Sequence, residues 1–459
     1  MRLKLLGNYW NPTFALLWTV ESAAVLYASR IAWQVRAPYG VAHGWAQSWV
    51  FVALVLFAMA SMGLFNHRLR DRTAGIVLRI SISVLAGGMA TALALALWSG
   101  LRVPVSEIAI AAVVSWLFLV LVRIAARGAI DRSPFRRRVL VLGGGHNAAL
   151  ILKLRRRADR RGFKLVGFVP VEGEDLQVPV ERVVQVGESM RGYAIAQRIG
   201  EVVVAVEDRR RSFPLRALLE CRFAGIEIVD LASFLERETG RVHLSILSPS
   251  WLIFGGGCRN DALRRSVERL FDYIASGVFL CLASPVMLLT ALAIKLEDGF
   301  RAPVFYYQAR VGYLGRTIQV CKFRSMRMDA ECDGCARWAS INDKRVTKVG
   351  WLIRKARIDE LPQLINVFRG QMSFVGPRPE RPEFVAQLAQ SIPYYERRHA
   401  VKPGITGWAQ LCYPYGCSER DALEKLQYDL YYVKHHGLIF DLLILLQTVE
   451  VIVLGRGAR

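Results

Sequence analysis

The sequence predicts a membrane protein with three parts: an N-terminal bundle of four membrane-spanning α-helices, a soluble Rossmann-like α/β domain, and a second α/β domain that opens with a re-entrant membrane helix. Hydrophobic residues make up 53% of the 459 residues, a share that indicates membrane segments. Each of four early apolar stretches is close to the roughly 20 residues that cross a bilayer as a helix. We therefore expect a transmembrane region over residues 1–130. The stretches lie at about residues 13–33, 47–66, 78–98 and 105–126.

Basic residues predict the orientation of these spans. The net charge is +23, and the arginines and lysines of the first third lie mainly at the start of the chain, in the second loop and after the fourth span. Because basic loops stay in the cytoplasm, we expect the N-terminus, the second loop and everything after residue 127 on the cytoplasmic face. We predict no nucleic-acid partner, since no nucleic-acid-binding motif accompanies the apolar stretches. The basic residues are Arg2, Lys4, Arg68, Arg70, Arg72, Arg123, Arg127, Arg132, Arg136, Arg137 and Arg138.

Residues 137–247 predict a soluble Rossmann-like domain. Gly143, Gly145 and Ala148 fit G-x-G-x-x-A between a strand and a helix, the dinucleotide fingerprint. No clear ribose-binding acid follows a second core strand, and Tyr193 lacks a lysine four residues later. These departures favour a nucleotide-free or regulatory domain over one that binds a dinucleotide. Further strands are expected at residues 163–170, 201–206 and 226–231.

Residues 271–294 are long enough to form a fifth span, but two features predict a re-entrant helix instead. Arginines precede the stretch and Lys295 follows it, so both ends prefer the cytoplasm. Ser284 and Pro285 lie at its middle, where proline removes a helical hydrogen bond and favours a kink. The alternative is a kinked complete span, which would place residues 296–459 outside the cell.

An adjacent acidic pair, Asp359 and Glu360, is the most informative feature of the remaining chain. Arg354 precedes the pair, and the rigid turn Gly376-Pro377-Arg378-Pro379 follows it. Neighbouring carboxylates repel each other when partly buried, so a metal or several cations must hold them. Such a pair suits a polyphosphate that is bound through a divalent ion. The spacing alone supports equally a solvated first turn of a helix.

Cations near this pair are candidate phosphate ligands. Lys322 and Arg324 alternate in the segment KFRSM and point the same way if it is extended, although a solvated strand face is the usual explanation. Arg378 lies between prolines and can bind phosphate bidentately. Cys332 and Cys335 form the only C-x-x-C pair, and its lack of a second ligand pair favours reduced thiols over zinc.

Residues from about 265 to 455 resemble the bacterial sugar transferases, a family of monotopic phosphoglycosyl transferases. The four spans and the α/β domain, which precede this region, resemble the large branch of the family, the polyprenyl-phosphate hexose-1-phosphate transferases of exopolysaccharide synthesis. None of the matching motifs is specific alone, but together they are. The motifs are KFRSM, RIDELPQLINVFRGQMSFVGPRP, KPGITGWAQ and KLQYDLYYVKHH.

The resemblance implies an α/β monotopic catalytic domain over residues 265–459 on the cytoplasmic face of a bacterial inner membrane. It implies that Asp359 attacks a UDP-sugar, that UMP leaves, and that polyprenol phosphate takes the phosphosugar from the aspartyl intermediate. Mg²⁺ at Asp359 and Glu360 is the expected cofactor, and membrane lipid is an expected partner. The family's phosphate-binding residues match Lys322, Arg324, Arg354, Arg378 and Pro379, and its re-entrant break matches Ser284 and Pro285.

Two other functions remain open from the residues alone. A nucleotide-sugar oxidoreductase would use the glycine loop at Gly143, but the missing Tyr-Lys dyad counts against it. A non-catalytic scaffold for polysaccharide assembly would leave Asp359 and Glu360 without a role. The sequence does not select among glucose, galactose and N-acetylated sugars, and we expect any homodimer to form through the four spans.

Overall fold

The computed structural model describes the chain in two compact units, Met1–Leu247 and Ser248–Arg459, which we treat separately. Cys332 and Cys335 lie outside the described residues, so the prediction about their thiols stays a prediction. The described residues are 3–5, 8–10, 12–36, 45–64, 73–97, 103–130, 136–154, 162–187, 189–207, 213–247, 262–327, 345–413, 416 and 418–453.

Four helices occupy the predicted N-terminal positions. A short antiparallel pair of strands precedes them. Helices α3 and α4 are long and apolar enough to cross a membrane, over Gly75–Leu97 and Val105–Ala126, while the apolar helix α2 has 17 residues. The elements are β1 (Leu3–Leu5), β2 (Asn8–Trp10), α1 (Pro12–Arg36), α2 (Trp45–Ser61), α3 (Thr73–Leu97) and α4 (Val105–Ile130).

Charged groups inside this bundle are paired rather than exposed. Arg123 on α4 donates from Nη2 to Glu21 Oε2 on α1 at 2.9 Å, and from Nη1 to the carbonyl oxygen of Leu64 at 2.8 Å. The buried Arg79 donates to the carbonyl oxygen of Met62 at 2.7 Å. Each contact gives a charged group a partner that it needs away from water. Through its pair with Arg123, Glu21 therefore joins helices α1 and α4.

The second part of this unit is the predicted α/β domain. Its four strands form one parallel sheet in the order β4-β3-β5-β6, so all of them begin at the same edge. The strand positions expected from the sequence are confirmed to within two residues. The elements are β3 (Arg137–Leu142), α5 (His146–Leu152), β4 (Phe163–Val169), α6 (Met190–Ala196), β5 (Glu201–Val204), α7 (Leu215–Phe223), β6 (Glu227–Asp230) and α8 (Leu231–Thr239).

The second unit opens with the long helix α9 (Ala262–Asp298), which runs through Pro285 as one helical element. The Ser284 hydroxyl donates to the carbonyl oxygen of Cys281 at 2.8 Å, one turn earlier. A helical break at Pro285 is not seen, and the re-entrant course stays a prediction. The side chains of the central part are mostly exposed, with Leu282 at 70% and Leu288 at 71%.

Both ends of α9 contact the same unit. Near its start, Arg269 donates to the carbonyl oxygens of Val367 and Phe368 at 2.8 and 2.7 Å. Near its end, Ile294 packs with Phe323 and Ile353 in a small core. The apolar middle therefore lies between two attachments to one domain.

The rest of the second unit brings distant segments together around two strand pairs. Strands β7 and β8 form an antiparallel hairpin, and the short strands β9 and β10 pair in parallel. The elements are β7 (Phe305–Val311), β8 (Thr317–Phe323), α10 (Lys348–Lys355), α11 (Gln363–Phe368), β9 (Ser373–Val375), α12 (Pro382–Ser391), β10 (Gly404–Thr406), α13 (Trp408–Cys412), α14 (Glu419–His435) and α15 (Leu438–Val453).

Glycines allow two turns of this unit to pack closely, the GPRP turn at residues 376–379 and the PGITG turn at residues 403–407. The backbone of Gly376 in the GPRP turn approaches the PGITG turn so closely that a Cβ on Gly404 would lie 2.1 Å from the Gly376 nitrogen. A Cβ on Gly407 would lie 2.2 Å from the Gly376 carbonyl oxygen. Real Cβ atoms do not tolerate such distances, so glycine is required at both positions. This contact fixes where Arg378 stands.

Candidate active site

The acidic pair lies in a 3-10 turn, Ile358–Glu360, between α10 and α11. Arg357 precedes the turn in the left-handed region, with φ of 59°. This conformation is uncommon for a residue with a side chain and bends the chain sharply. The pair is partly buried, which excludes a fully solvated helix start.

Glu360 is held by two cations. Arg378 Nη2 donates to Glu360 Oε1 at 2.6 Å, and Lys322 Nζ lies 3.7 Å from the same oxygen. Burial alone would raise the pKa of this carboxyl. Arg378 and Lys322 outweigh burial and lower the pKa of Glu360 to about 2. Glu360 is therefore ionised throughout the physiological range.

Asp359 has the opposite electrostatic environment. Burial raises the pKa of its carboxyl above the ordinary value, and the negative charge of Glu360 beside it adds to that rise. Lys322, Arg354 and Arg357 act against the rise but do not cancel it. Two neighbouring carboxyls thus have pKa values shifted in opposite directions, a pattern typical of sites where each has a different task.

Lys322 is the cation shared by the pair. Burial disfavours its charged form and lowers the pKa of the amine to about 8, while Glu360 opposes that shift. The side chain projects from β8, whose hairpin partner β7 ends beside the residue after the GPRP turn. The backbone N–H of Val311 donates to the carbonyl oxygen of Glu380 at 2.9 Å. This contact joins the β7–β8 hairpin, which carries Lys322, to the turn that carries Arg378.

The other predicted residues are less central. Arg354 lies in the last turn of α10, and its charge opposes the rise in the pKa of Asp359. Pro379 is buried, and its carbonyl oxygen accepts a bond from Arg310 at 3.1 Å. Arg324 is buried and pairs at 2.7 Å with Asp298, the last residue of α9. The structure thus brings together Asp359, Glu360 and the three cations Lys322, Arg354 and Arg378, and gives Arg324 a different carboxylate partner.

Sequence reasoning missed the group that supports Arg378 from behind. Arg398 is buried and donates from Nη2 to the carbonyl oxygen of Arg378 at 3.0 Å, and from Nη1 to the Tyr395 hydroxyl at 2.8 Å. Asp429 on α14 pairs with Arg398 at 2.8 Å and is also buried. An aspartate within the aromatic stretch LQYDLYYV was the available signal, because a buried acid requires a partner.

A second candidate site, the glycine loop of the α/β domain, is closed by the chain's own carboxylates. Glu174 accepts the backbone N–H groups of Gly144 at 2.9 Å and Glu207 at 3.1 Å. The Glu207 side chain accepts the N–H of Asn147 at 3.2 Å. These are the donors that a dinucleotide pyrophosphate would use in such a loop. The expectation of a nucleotide-free or regulatory domain stays a prediction.

The second unit matches a known protein family. Residues 263–455 match the family described as bacterial sugar transferase. An uncharacterized sugar transferase of Bacillus subtilis, EpsL, is 38% identical over 196 residues, which cover 42% of this chain and 90% of that protein. The chain belongs to the bacterial sugar transferase family.

Two other relatives are longer than the region they share with the chain. The UDP-N-acetylgalactosamine-undecaprenyl-phosphate N-acetylgalactosaminephosphotransferase of Aeromonas hydrophila is 42% identical over 244 residues, 53% of this chain and 56% of that protein. The UDP-glucose:undecaprenyl-phosphate glucose-1-phosphate transferase of Escherichia coli is 44% identical over 193 residues, 41% of this chain and 40% of that protein. The chain spans about half the length of these two transferases.

Replacing Arg378 with Gln should destabilise the second unit in a pH-dependent way. The arginine is the strongest of the cations that together lower the pKa of Glu360 from 4.5 to about 2, so its stabilising effect is present above the ordinary value and disappears as the pH falls toward 2. At neutral pH we expect a loss of roughly 2 kcal/mol, because Glu360 stays buried with Lys322 alone. Thermal unfolding in detergent over a pH series measures this, with the exposed Arg397→Gln as control. A loss that does not shrink toward acid pH would contradict the assignment.

Proposed function

We propose that the chain transfers a sugar 1-phosphate from a UDP-sugar to polyprenol phosphate, giving polyprenyl-diphosphate-sugar and UMP. The observation that carries the proposal is the unlike pair of carboxyls, Asp359 with a raised pKa and Glu360 with one of about 2, among Lys322, Arg354 and Arg378. Family membership and the substrates in the names of the two longer relatives support the same reaction class.

The reaction would proceed in two displacements. The Asp359 carboxylate attacks the β-phosphorus of the UDP-sugar, and the bond from that phosphorus to the bridging oxygen breaks, so UMP leaves. A phosphate oxygen of polyprenol phosphate then attacks the same phosphorus, and the bond to Asp359 breaks. The raised pKa makes the Asp359 carboxylate more basic, which favours its role as nucleophile.

The neighbouring residues would hold the charges of both substrates. Arg378 and Lys322 each have several N–H groups, so each can donate to phosphate oxygens as well as contact Glu360. Arg354 stands on the Asp359 side of the pair. These cations offset the negative charge that accumulates on the diphosphate as UMP leaves.

Mg²⁺ fits this site as an ion that arrives with substrate. Among the residues that the structure describes, no group of three or more acidic, histidine or cysteine side chains could hold a metal. Asp359 and Glu360 supply two carboxyls, and Mg²⁺ commonly uses one or two carboxylates together with substrate phosphates. Bound there, the ion would offset diphosphate charge.

The helix α9 would place this site at the membrane surface. A complete span would put its ends on opposite sides of about 30 Å of hydrocarbon. Both ends instead contact one compact unit, and the exposed leucines lie between them. We propose that this middle section enters the cytoplasmic leaflet of the bacterial inner membrane and returns to the same face. The four N-terminal helices would cross the membrane and provide any dimer contact.

Two alternatives have less support. An oxidoreductase would need the glycine loop for a dinucleotide, and there Glu174 accepts the N–H of Gly144 and Glu207 accepts that of Asn147. A non-catalytic scaffold would not need two adjacent carboxyls with opposite pKa shifts. The comparisons include relatives named for N-acetylgalactosamine and for glucose, so the sugar is a matter for a substrate panel.

Replacing Asp359 with Asn should lower UMP release by a factor of about 10³ or more, because the amide is a far weaker nucleophile. The assay offers purified protein a panel of UDP-sugars with polyprenol phosphate, in the presence of Mg²⁺ or of a chelator. Glu396→Gln, an exposed acid of the same unit, is the matched control. Undiminished release by the Asp359 variant would exclude this nucleophile. Silence of the folded wild-type protein across the panel would favour a scaffold.

The reaction should slow as the pH rises through about 8. The amine of Lys322 loses its charge there in the free enzyme, so substrate phosphate binds less tightly and kcat/KM falls. Lys322→Arg keeps a charge across this range and should remove the basic limb, even at a reduced rate. Measuring UMP release against pH for both proteins tests this. An identical basic limb in the arginine variant would assign the titration to another group.

Both ends of α9 should be accessible from the cytoplasm. Leu263 and Leu296 are 73% and 67% exposed, so cysteines at these positions can react with a membrane-impermeant maleimide. Inside-out vesicles should allow labelling at both, with the modified peptides identified by mass spectrometry. Leu97→Cys, at the far end of α3, is the control and should react only from the opposite side. Labelling of position 296 only from outside would show a complete span.

A further inference from the structure

The edge of the Rossmann-like sheet at which the strands begin carries a basic surface. Arg136 and Arg138 lie at the start of β3, and Lys164 pairs in register with Arg138. Arg198 lies three residues before β5, and Arg222 lies near the end of α7, where the chain turns toward β6. Lys164, Arg198 and Arg222 are exposed, and the other two are partly so. We call these five residues the basic edge.

One large apolar side chain projects beside the basic edge. Phe223, the last residue of α7, is 87% exposed. An isolated exposed phenylalanine is unremarkable, but here Arg222 is its chain neighbour. An aromatic side chain among arginines is the composition of segments that lie in a membrane interface.

Three acids that the structure describes near the basic edge pair with arginines outside it. Glu201 is buried and pairs with Arg137 at 2.9 Å and with Arg237 at 2.6 Å. Glu227 lies 3.6 Å from Arg137 and Glu238 lies 3.1 Å from Arg237. These acids are thus engaged with Arg137 and Arg237, which are not members of the edge.

The described residues at the opposite edge of the same sheet include a group of acids. A cavity of about 220 Å³ lies beyond the strand ends, and Glu172, Glu174, Asp175 and Glu207 all line it. Among the described residues of this domain, positive charge therefore lies where the strands begin and negative charge lies where they end. In the field of an anionic surface, such a domain turns its basic edge toward the surface.

The chain connects this basic edge directly to an apolar helix. Helix α4 ends at Ile130 and β3 begins at Arg137, and a connection of this length reaches at most about 25 Å. The start of β3 must therefore lie close to the point where α4 leaves the membrane. Every other strand of this parallel sheet begins at that same edge.

We propose that the basic edge docks on the anionic headgroups of the membrane, with Phe223 inserted among them. Two observations favour a lipid surface as the partner. The short connection from α4 keeps the basic edge near the membrane, and the positive charge of the edge complements anionic headgroups. This inference rests on the proposed membrane insertion of α4. It gives the Rossmann-like domain a role in orienting the chain at the membrane, without a bound nucleotide.

The test places a fluorescent amino acid at position 223 of the full chain, in nanodiscs of phosphatidylcholine with or without phosphatidylglycerol. We expect doxyl-labelled lipid to quench the probe and iodide in water to quench it little, more clearly with phosphatidylglycerol and less in high salt. A probe at Leu215, at the other end of α7 and 59% exposed, should show the reverse. Arg198→Glu combined with Arg222→Glu should reduce lipid quenching at position 223.

Three results would overturn the inference. Iodide quenching at position 223 in both lipids would place the edge in water. Protection from both quenchers would indicate a protein contact, such as a second copy of the chain. Lipid quenching that does not change with phosphatidylglycerol content, with salt or with the arginine replacements would exclude docking through charge. A probe at Val113 on α4 reports membrane insertion separately, and UMP release by the same samples reports the proposed reaction.

Discussion

The ion pair between Arg378 and Glu360 is the contact on which the candidate site depends. It joins a 3-10 turn to a proline-rich turn 18 residues later, and it leaves one of two adjacent carboxyls permanently ionised. Its position is set by backbone packing, since Gly376 approaches Gly404 too closely for any side chain. Arg398 supports the same turn through the carbonyl oxygen of Arg378. Burial raises the pKa of Asp359, and the ionised Glu360 that this geometry maintains adds to that rise.

Under the proposed function, the long helix α9 would connect this site to the membrane. Its first turns are bound to the end of α11, the helix that follows the acidic pair, and its last residues are bound near β8, which carries Lys322. An exposed apolar section lies between these attachments. Because the elements that form the site contact both ends of α9, the site stays beside whatever surface the middle section of α9 enters. A lipid phosphate and a dissolved nucleotide sugar could then meet there.

Local patterns in the sequence predicted much of this fold. The strands of the Rossmann-like domain, the four N-terminal helices and the neighbours of Asp359 follow from apolar spacing, glycine turns and motif order. The sequence could not predict that Arg324 pairs with Asp298, or that Glu174 and Glu207 fill the glycine loop. Those contacts join residues 26 to 60 positions apart, and only the tertiary fold decides which carboxylate meets which donor. Pro285 lies inside one continuous helical element, so the kink expected there stays a prediction.

The most direct test of the central claim is mass spectrometry of the protein after incubation with its UDP-sugar and Mg²⁺, without polyprenol phosphate. If Asp359 is the nucleophile, the peptide that contains it gains the mass of the sugar phosphate, UMP appears in matching amount, and polyprenol phosphate then removes the added mass. UMP that forms only when polyprenol phosphate is present, with no modified Asp359 peptide at any time, would contradict the account.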